Sequence, residues 1–100
     1  MIENLDNLIQ MTELYLGKNK ITKIENLFPL SNLRILALMS NRLIKIEGLE
    51  ELKNLQELYL SGNAITKLEG LENNVSLILL LFILNYNKKK LIILILTTVY

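Results

Sequence analysis

A nine-residue stretch that recurs along the chain decides the fold. It reads MTELYLGKN at residues 11–19, LRILALMSN at 33–41, LQELYLSGN at 55–63 and LILLLFILN at 77–85. The copies therefore begin at residues 11, 33, 55 and 77, a constant step of 22 residues. Apolar residues hold the first, fourth and sixth positions of each copy, and asparagine closes it. Such a period predicts a chain built from similar units stacked on one another.

Each 22-residue repeat contains two patterns of apolar residues with different spacings. Around the central leucine, Glu13-Leu14-Tyr15 alternates with period two, which predicts a short strand with Leu14 inside and its neighbours on the opposite face. Beyond the asparagine, apolar residues such as Ile21 and Ile24 recur every third position, which favours 3₁₀ turns over a regular α-helix. Together these patterns are typical of leucine-rich repeats. We expect an α/β leucine-rich-repeat solenoid, with a short parallel β-sheet on its concave face and 3₁₀ or irregular convex segments.

One asparagine closes each repeat, where the strand must turn. An asparagine amide both donates and accepts hydrogen bonds, so it can satisfy backbone groups that the sheet leaves unpaired. Repetition predicts a structural ladder that holds the turns and contacts no ligand. Its members are Asn19, Asn41, Asn63 and Asn85.

The repeat pattern weakens after Asn85. Lys90, for example, stands where Leu68 stood one repeat earlier. The sequence therefore predicts leucine-rich repeats over residues 1–86, about three full and partial ones at each end. Residues 87–100 would form a divergent apolar tail.

The tail allows several interpretations. Its apolar run, residues 91–96, is far shorter than the roughly 20 residues that a membrane-spanning helix needs, so a membrane role is not favoured, although an interfacial segment stays open. The lysines at 88–90 are expected to form a solvated turn between two strands. The tail is expected to be the truncated or out-of-frame end of a longer gene, and such a tail could still cover the last repeat. Its uncharged β-branched residues predict aggregation.

Composition argues against most chemistry. The chain has no cysteine and no histidine, and its net charge is only +1, from 11 basic and 10 acidic residues. Disulfides, thiolate nucleophiles, the usual zinc sites and histidine proton transfer are excluded. A net charge this small creates no strong electrostatic field that would attract nucleic acid. No phosphate loop or nucleophile motif occurs. We therefore expect no enzyme, no cofactor, no metal and no small-molecule substrate.

The concave face is left as the functional surface. Its central positions carry tyrosine and glutamate, and exposed tyrosines are typical anchors of protein interfaces. An alternative is that each tyrosine only packs over its neighbours. The predicted partner-binding residues are Glu13, Tyr15, Ala37, Glu57 and Tyr59.

Several non-consensus segments resemble a particular family. They are LGKNKITK at 16–23, SNRL at 40–43, KIEGL at 45–49, ELYLS at 57–61 and EGLENN at 69–74. The sequences of these segments are similar to the central repeats of the leucine-rich-repeat regulatory subunit of protein phosphatase 1, the regulatory subunit 7 family.

This resemblance implies a protein of the nucleus and cytoplasm that holds the phosphatase 1 catalytic subunit on its concave face. Aromatic and acidic side chains would make the contacts. Tyr15 stands where the family uses an aromatic contact, whereas Leu81 stands where it places an acidic one. Two other hypotheses stay open: a general leucine-rich-repeat scaffold of another intracellular assembly, and a non-functional truncated gene product.

Overall fold

A single sheet runs through the molecule. The computed structural model describes residues 2–4, 8–77, 79–86 and 89–96. Its five strands are β1 (Glu13–Tyr15), β2 (Ile35–Ala37), β3 (Glu57–Tyr59), β4 (Leu79–Tyr86) and β5 (Lys89–Leu96). They lie side by side in chain order. The first four are parallel, and β5 is antiparallel to β4.

The sequence period becomes the register of the sheet. Leu14 pairs with Leu36, Leu36 with Leu58 and Leu58 with Leu80. A step of 22 residues thus brings each strand back beside its predecessor, one repeat further along the solenoid. The predicted leucine-rich-repeat fold with a short parallel sheet is confirmed.

Leucine and isoleucine fill one continuous core between the sheet and the convex side. Leu36, Leu58 and Ile46 are at most 1% exposed, because each has a repeat on both sides. At one end of each of two columns the burial is lost: Leu68 is 44% and Leu8 42% exposed. Burial in this fold depends on neighbouring repeats, as expected when each unit packs only against adjacent ones.

Turns closed by hydrogen bonds between residues three positions apart build the convex side. The N–H of Leu30 donates to the oxygen of Leu27 at 2.9 Å, and the N–H of Leu33 donates to the oxygen of Leu30 at 3.0 Å. The next repeat repeats this chain of bonds through Leu49 and Leu52. No helix occurs among the described residues, so the convex segments are irregular chains of single turns with 3₁₀-type hydrogen bonds.

The last two strands depart from the repeat. β4 has eight residues where β1 to β3 have three, and it pairs with β5 along its whole length. Asn85, predicted to hold a turn, lies inside β4 opposite Lys90. The antiparallel partner continues the ladder beyond the point where earlier strands turn. The predicted lysine turn is wrong for Lys89 and Lys90, which open β5, while residue 88 lies outside the described residues.

Candidate functional site

Sheet register gathers the predicted partner-binding residues on one surface. Glu13, Ile35 and Glu57 form one row across β1, β2 and β3. Tyr15, Ala37 and Tyr59 form the next row. Neighbouring strands lie about 4.8 Å apart, so each row is short and compact. We call these two rows the Tyr-Glu surface.

Each tyrosine is tied to the glutamate on its own strand. The Tyr15 hydroxyl donates to Oε1 of Glu13 at 2.7 Å, and the Tyr59 hydroxyl donates to Oε1 of Glu57 at 2.5 Å. These hydrogen bonds raise the pKa of both phenols above 10.0, with smaller contributions from desolvation and nearby charge. Each hydroxyl therefore keeps its proton to higher pH, because the proton is donated to the neighbouring carboxylate.

Ala37 lies between the two tyrosines and is only 1% exposed, although it belongs to the concave row. Its methyl group is short, so the flanking side chains cover it. Tyr15 itself remains 60% exposed. The result is a shallow aromatic surface with a carboxylate beside each ring. Exposed tyrosine rings are enriched at protein interfaces, so the aromatic part of this surface suits contact with another protein.

The asparagine ladder has its own geometry at the ends of the strands. Oδ1 of Asn41 accepts from the N–H of Ile21 at 3.1 Å, and its Nδ2 donates to the oxygens of Leu16 and Leu38 at 3.0 and 2.9 Å. Each amide thus links two repeats. Asn63 makes the same set of bonds one repeat later, to Leu43, Leu38 and Leu60.

The two end members of the ladder differ from the central pair. Asn19 is exposed and donates only within its own repeat, to Leu16 and Gly17. The side chain of Asn85 lies outside the described part of the chain.

Sequence reasoning missed a polar groove beside the Tyr-Glu surface. It has a volume of about 350 Å³. Its lining residues are Gln10, Thr12, Asn32, Arg34, Asn54, Gln56 and Ser76. The available signal was the repeat itself, because positions 10, 32, 54 and 76 and positions 12, 34 and 56 each form a 22-residue column.

Backbone contacts fix one side of the groove. Nδ2 of Asn32 donates to the oxygen of Ile9 at 3.2 Å, and Nδ2 of Asn54 donates to the oxygen of Ser31 at 3.0 Å. Arg34 is the charged residue of the lining. The groove therefore adds neutral hydrogen-bonding groups and one cation to the margin of the Tyr-Glu surface.

Metal and membrane sites have no support in the described ranges of the chain. Within those residues, no group of three or more acidic side chains is placed to hold a metal ion. No helix in the same ranges is long and apolar enough to cross a membrane.

Comparison with known proteins agrees with this architecture. The fold and surface define a repeat module of the kind that generally serves as a scaffold for protein–protein interaction. A family model described as leucine-rich repeats, in two copies, matches residues 9–51 and again residues 31–73, which together span more than half of the chain. The chain belongs to the leucine-rich-repeat family. No curated protein matches it.

Proposed function

We propose that the chain binds another protein through its concave face and that the partner is the catalytic subunit of protein phosphatase 1. The Tyr-Glu surface carries the proposal: two tyrosines, each oriented by a glutamate, on the face that leucine-rich repeats present to partners. The phosphatase is named through the resemblance of residues 16–23, 40–43, 45–49, 57–61 and 69–74 to the regulatory subunit 7 family. The same resemblance suggests the nucleus and cytoplasm as its compartments.

Tyr15 is the residue on which this proposal is best tested. It is 60% exposed, and a rigid aromatic ring offers a large contact area at low entropic cost. Phe28 is a matched control, since it is also aromatic and is 63% exposed but lies outside the strands. Titration calorimetry with the phosphatase catalytic subunit should show binding that Tyr15→Ala weakens about tenfold or more. Phe28→Ala should bind like the wild-type chain.

Absence of a complex at micromolar concentrations would rule out the phosphatase as partner. Equal losses for Tyr15→Ala and Phe28→Ala would instead rule out the Tyr-Glu surface as the contact. These two outcomes separate the identity of the partner from the location of the site.

A second proposal is a scaffold role in another intracellular assembly. One observation favours it: Leu79 and Leu81 pair with Glu57 and Tyr59, so the next strand, β4, brings leucine to both rows. The resemblance implies a carboxylate at residue 81, so leucine at that register position suits a partner other than the phosphatase. Quantitative affinity capture would favour this role if it recovers a protein other than the phosphatase that is lost with Tyr15→Ala and kept with Phe28→Ala.

A further inference from the structure

The outer edge of β5 is the longest open edge of the sheet. β5 is the last strand in the sheet order, and its eight residues are paired on one side only, with β4. Residues 91–96 read LIILIL and contain no charge, proline or glycine. Natural proteins protect open edges with charged residues and proline, because unpaired N–H and C=O groups otherwise recruit another strand. Over these six residues, the strand itself supplies no charge or proline to protect the edge.

We infer that β5 pairs antiparallel with β5 of a second copy of this chain, forming a two-fold symmetric dimer through a continuous sheet. The inference goes beyond the proposed function and does not rest on it. The opposite edge of the sheet is β1, which has three residues, so pairing of β5 with β1 of another copy would satisfy far less backbone. β5 with β5 is also closed, whereas β5 with β1 would continue into an open filament.

The charges of β5 favour the antiparallel arrangement. Lys89 and Lys90 open the strand, and a parallel, in-register pair would place each lysine beside its copy. Like charges directly opposite each other destabilise a strand pair. In an antiparallel pair centred on the strand, Lys90 lies opposite Leu94 or Leu96 of the partner, depending on whether Ile92 or Ile93 lies opposite its own copy, and no lysine lies opposite a lysine. Lys89 and Lys90 of one copy then lie at the opposite end of the interface from Lys89 and Lys90 of the other copy.

Symmetry restricts the register of this pair. Opposed pairs along an antiparallel ladder alternate between hydrogen-bonded and non-hydrogen-bonded types. A two-fold axis exchanges the two strands and must preserve the type of each pair. The axis therefore passes midway between a residue and its own copy, which lie directly opposite each other. In a centred pair of Lys89–Leu96 that residue is Ile92 or Ile93.

Single cysteines provide the test. The chain contains none, so an introduced cysteine is unique. Directly opposed residues have Cα atoms about 4.5–5.5 Å apart, a separation that a disulfide spans. Under mild oxidation, either Ile92→Cys or Ile93→Cys should form a disulfide-linked dimer much faster than Thr66→Cys, an exposed control outside the strands. Failure of both variants, or equal linkage at Thr66→Cys, would overturn the proposed pairing.

Sedimentation equilibrium gives the second measurement. The full chain should sediment at twice its mass of 11.5 kDa. Ile93→Lys should shift it to the monomer, while Ile44→Lys, at a residue 69% exposed away from the sheet, should leave the dimer intact. A monomeric wild-type chain would overturn the inference, and so would larger assemblies without a dimer. Because Ile93→Lys also alters the β4–β5 hairpin, the cysteine result decides the interface.

Discussion

The side chain of Asn26 donates from Nδ2 to the backbone oxygen of Ile2 at 2.7 Å, across one repeat. Asn26 has a left-handed backbone, with φ of 61°. One repeat later Gly48 takes the same place with φ of 74°, and a Cβ there would lie 2.5 Å from the oxygen of Ile24, the counterpart of Ile2. The repeat therefore fills one strained position in two ways.

Substitution at Gly48 should separate these two solutions. Gly48→Ala should lower the free energy of unfolding by about 1–2 kcal/mol or more, since a left-handed backbone costs that much for an ordinary residue and the new methyl group meets the oxygen of Ile24. Gly48→Asn should cost clearly less, because its amide can donate to that oxygen as Asn26 donates to Ile2. Urea denaturation followed by circular dichroism measures both. Equal losses of unfolding free energy in Gly48→Ala and Gly48→Asn would contradict the proposal that an asparagine amide relieves this position.

The asparagine ladder predicts a difference between its buried and exposed members. Asn41→Ala removes the acceptor of the Ile21 N–H and a donor to three carbonyl oxygens, so we expect a loss of about 2–3 kcal/mol in unfolding free energy. Asn19→Ala removes two exposed local bonds and should cost less than about 1 kcal/mol. Chemical denaturation of both variants tests this; a similar cost at the two positions would mean that burial does not set the strength of the ladder.

Asn74 predicts a stabilising substitution. It stands in the core column of Leu30 and Leu52 and is 5% exposed; its Nδ2 donates to the oxygens of Leu49 and Leu52, while its Oδ1 finds no partner among the described residues. Both oxygens also accept backbone N–H groups. Asn74→Leu should therefore raise the unfolding free energy by about 1–2 kcal/mol, through apolar burial and removal of an unpaired carbonyl. Thermal denaturation would refute this if Asn74→Leu melts below the wild-type chain.

The tyrosine pairs predict an alkaline transition. Because the folded pKa of Tyr15 is raised above 10.0 by its hydrogen bond to Glu13, the contribution of that bond is present below pH 10.0 and is lost as pH rises through the folded value. Glu13→Gln should move the pKa of Tyr15 back toward 10.0, while Glu51→Gln, at an exposed residue that does not act on Tyr15, should not. Resonances of the Tyr15 ring followed through alkaline pH report the shift. An unchanged value in Glu13→Gln would exclude the carboxylate as its cause.

The amino-acid sequence by itself determined the repeat and most of its consequences. The 22-residue step sets which residues lie side by side, so the period alone assigns Glu13, Tyr15, Ala37, Glu57 and Tyr59 to one surface. The period also fixed the core, because a residue that recurs once per repeat meets its own counterparts. The contribution of the Tyr-Glu surface to partner binding stays a prediction.

Tertiary structure decided what depends on contacts between repeats. The left-handed positions hold Asn26 and Gly48 in one column and Lys18 and Ser40 in another, so residue type alone does not reveal them. The burial of Ala37 and the polar groove arise only when three strands lie together. The length of β4 was set by its pairing with β5, which continued the hydrogen-bond ladder past the asparagine turn. Local patterns choose the face of a residue, whereas neighbouring chain segments decide its burial, its φ and where its strand ends.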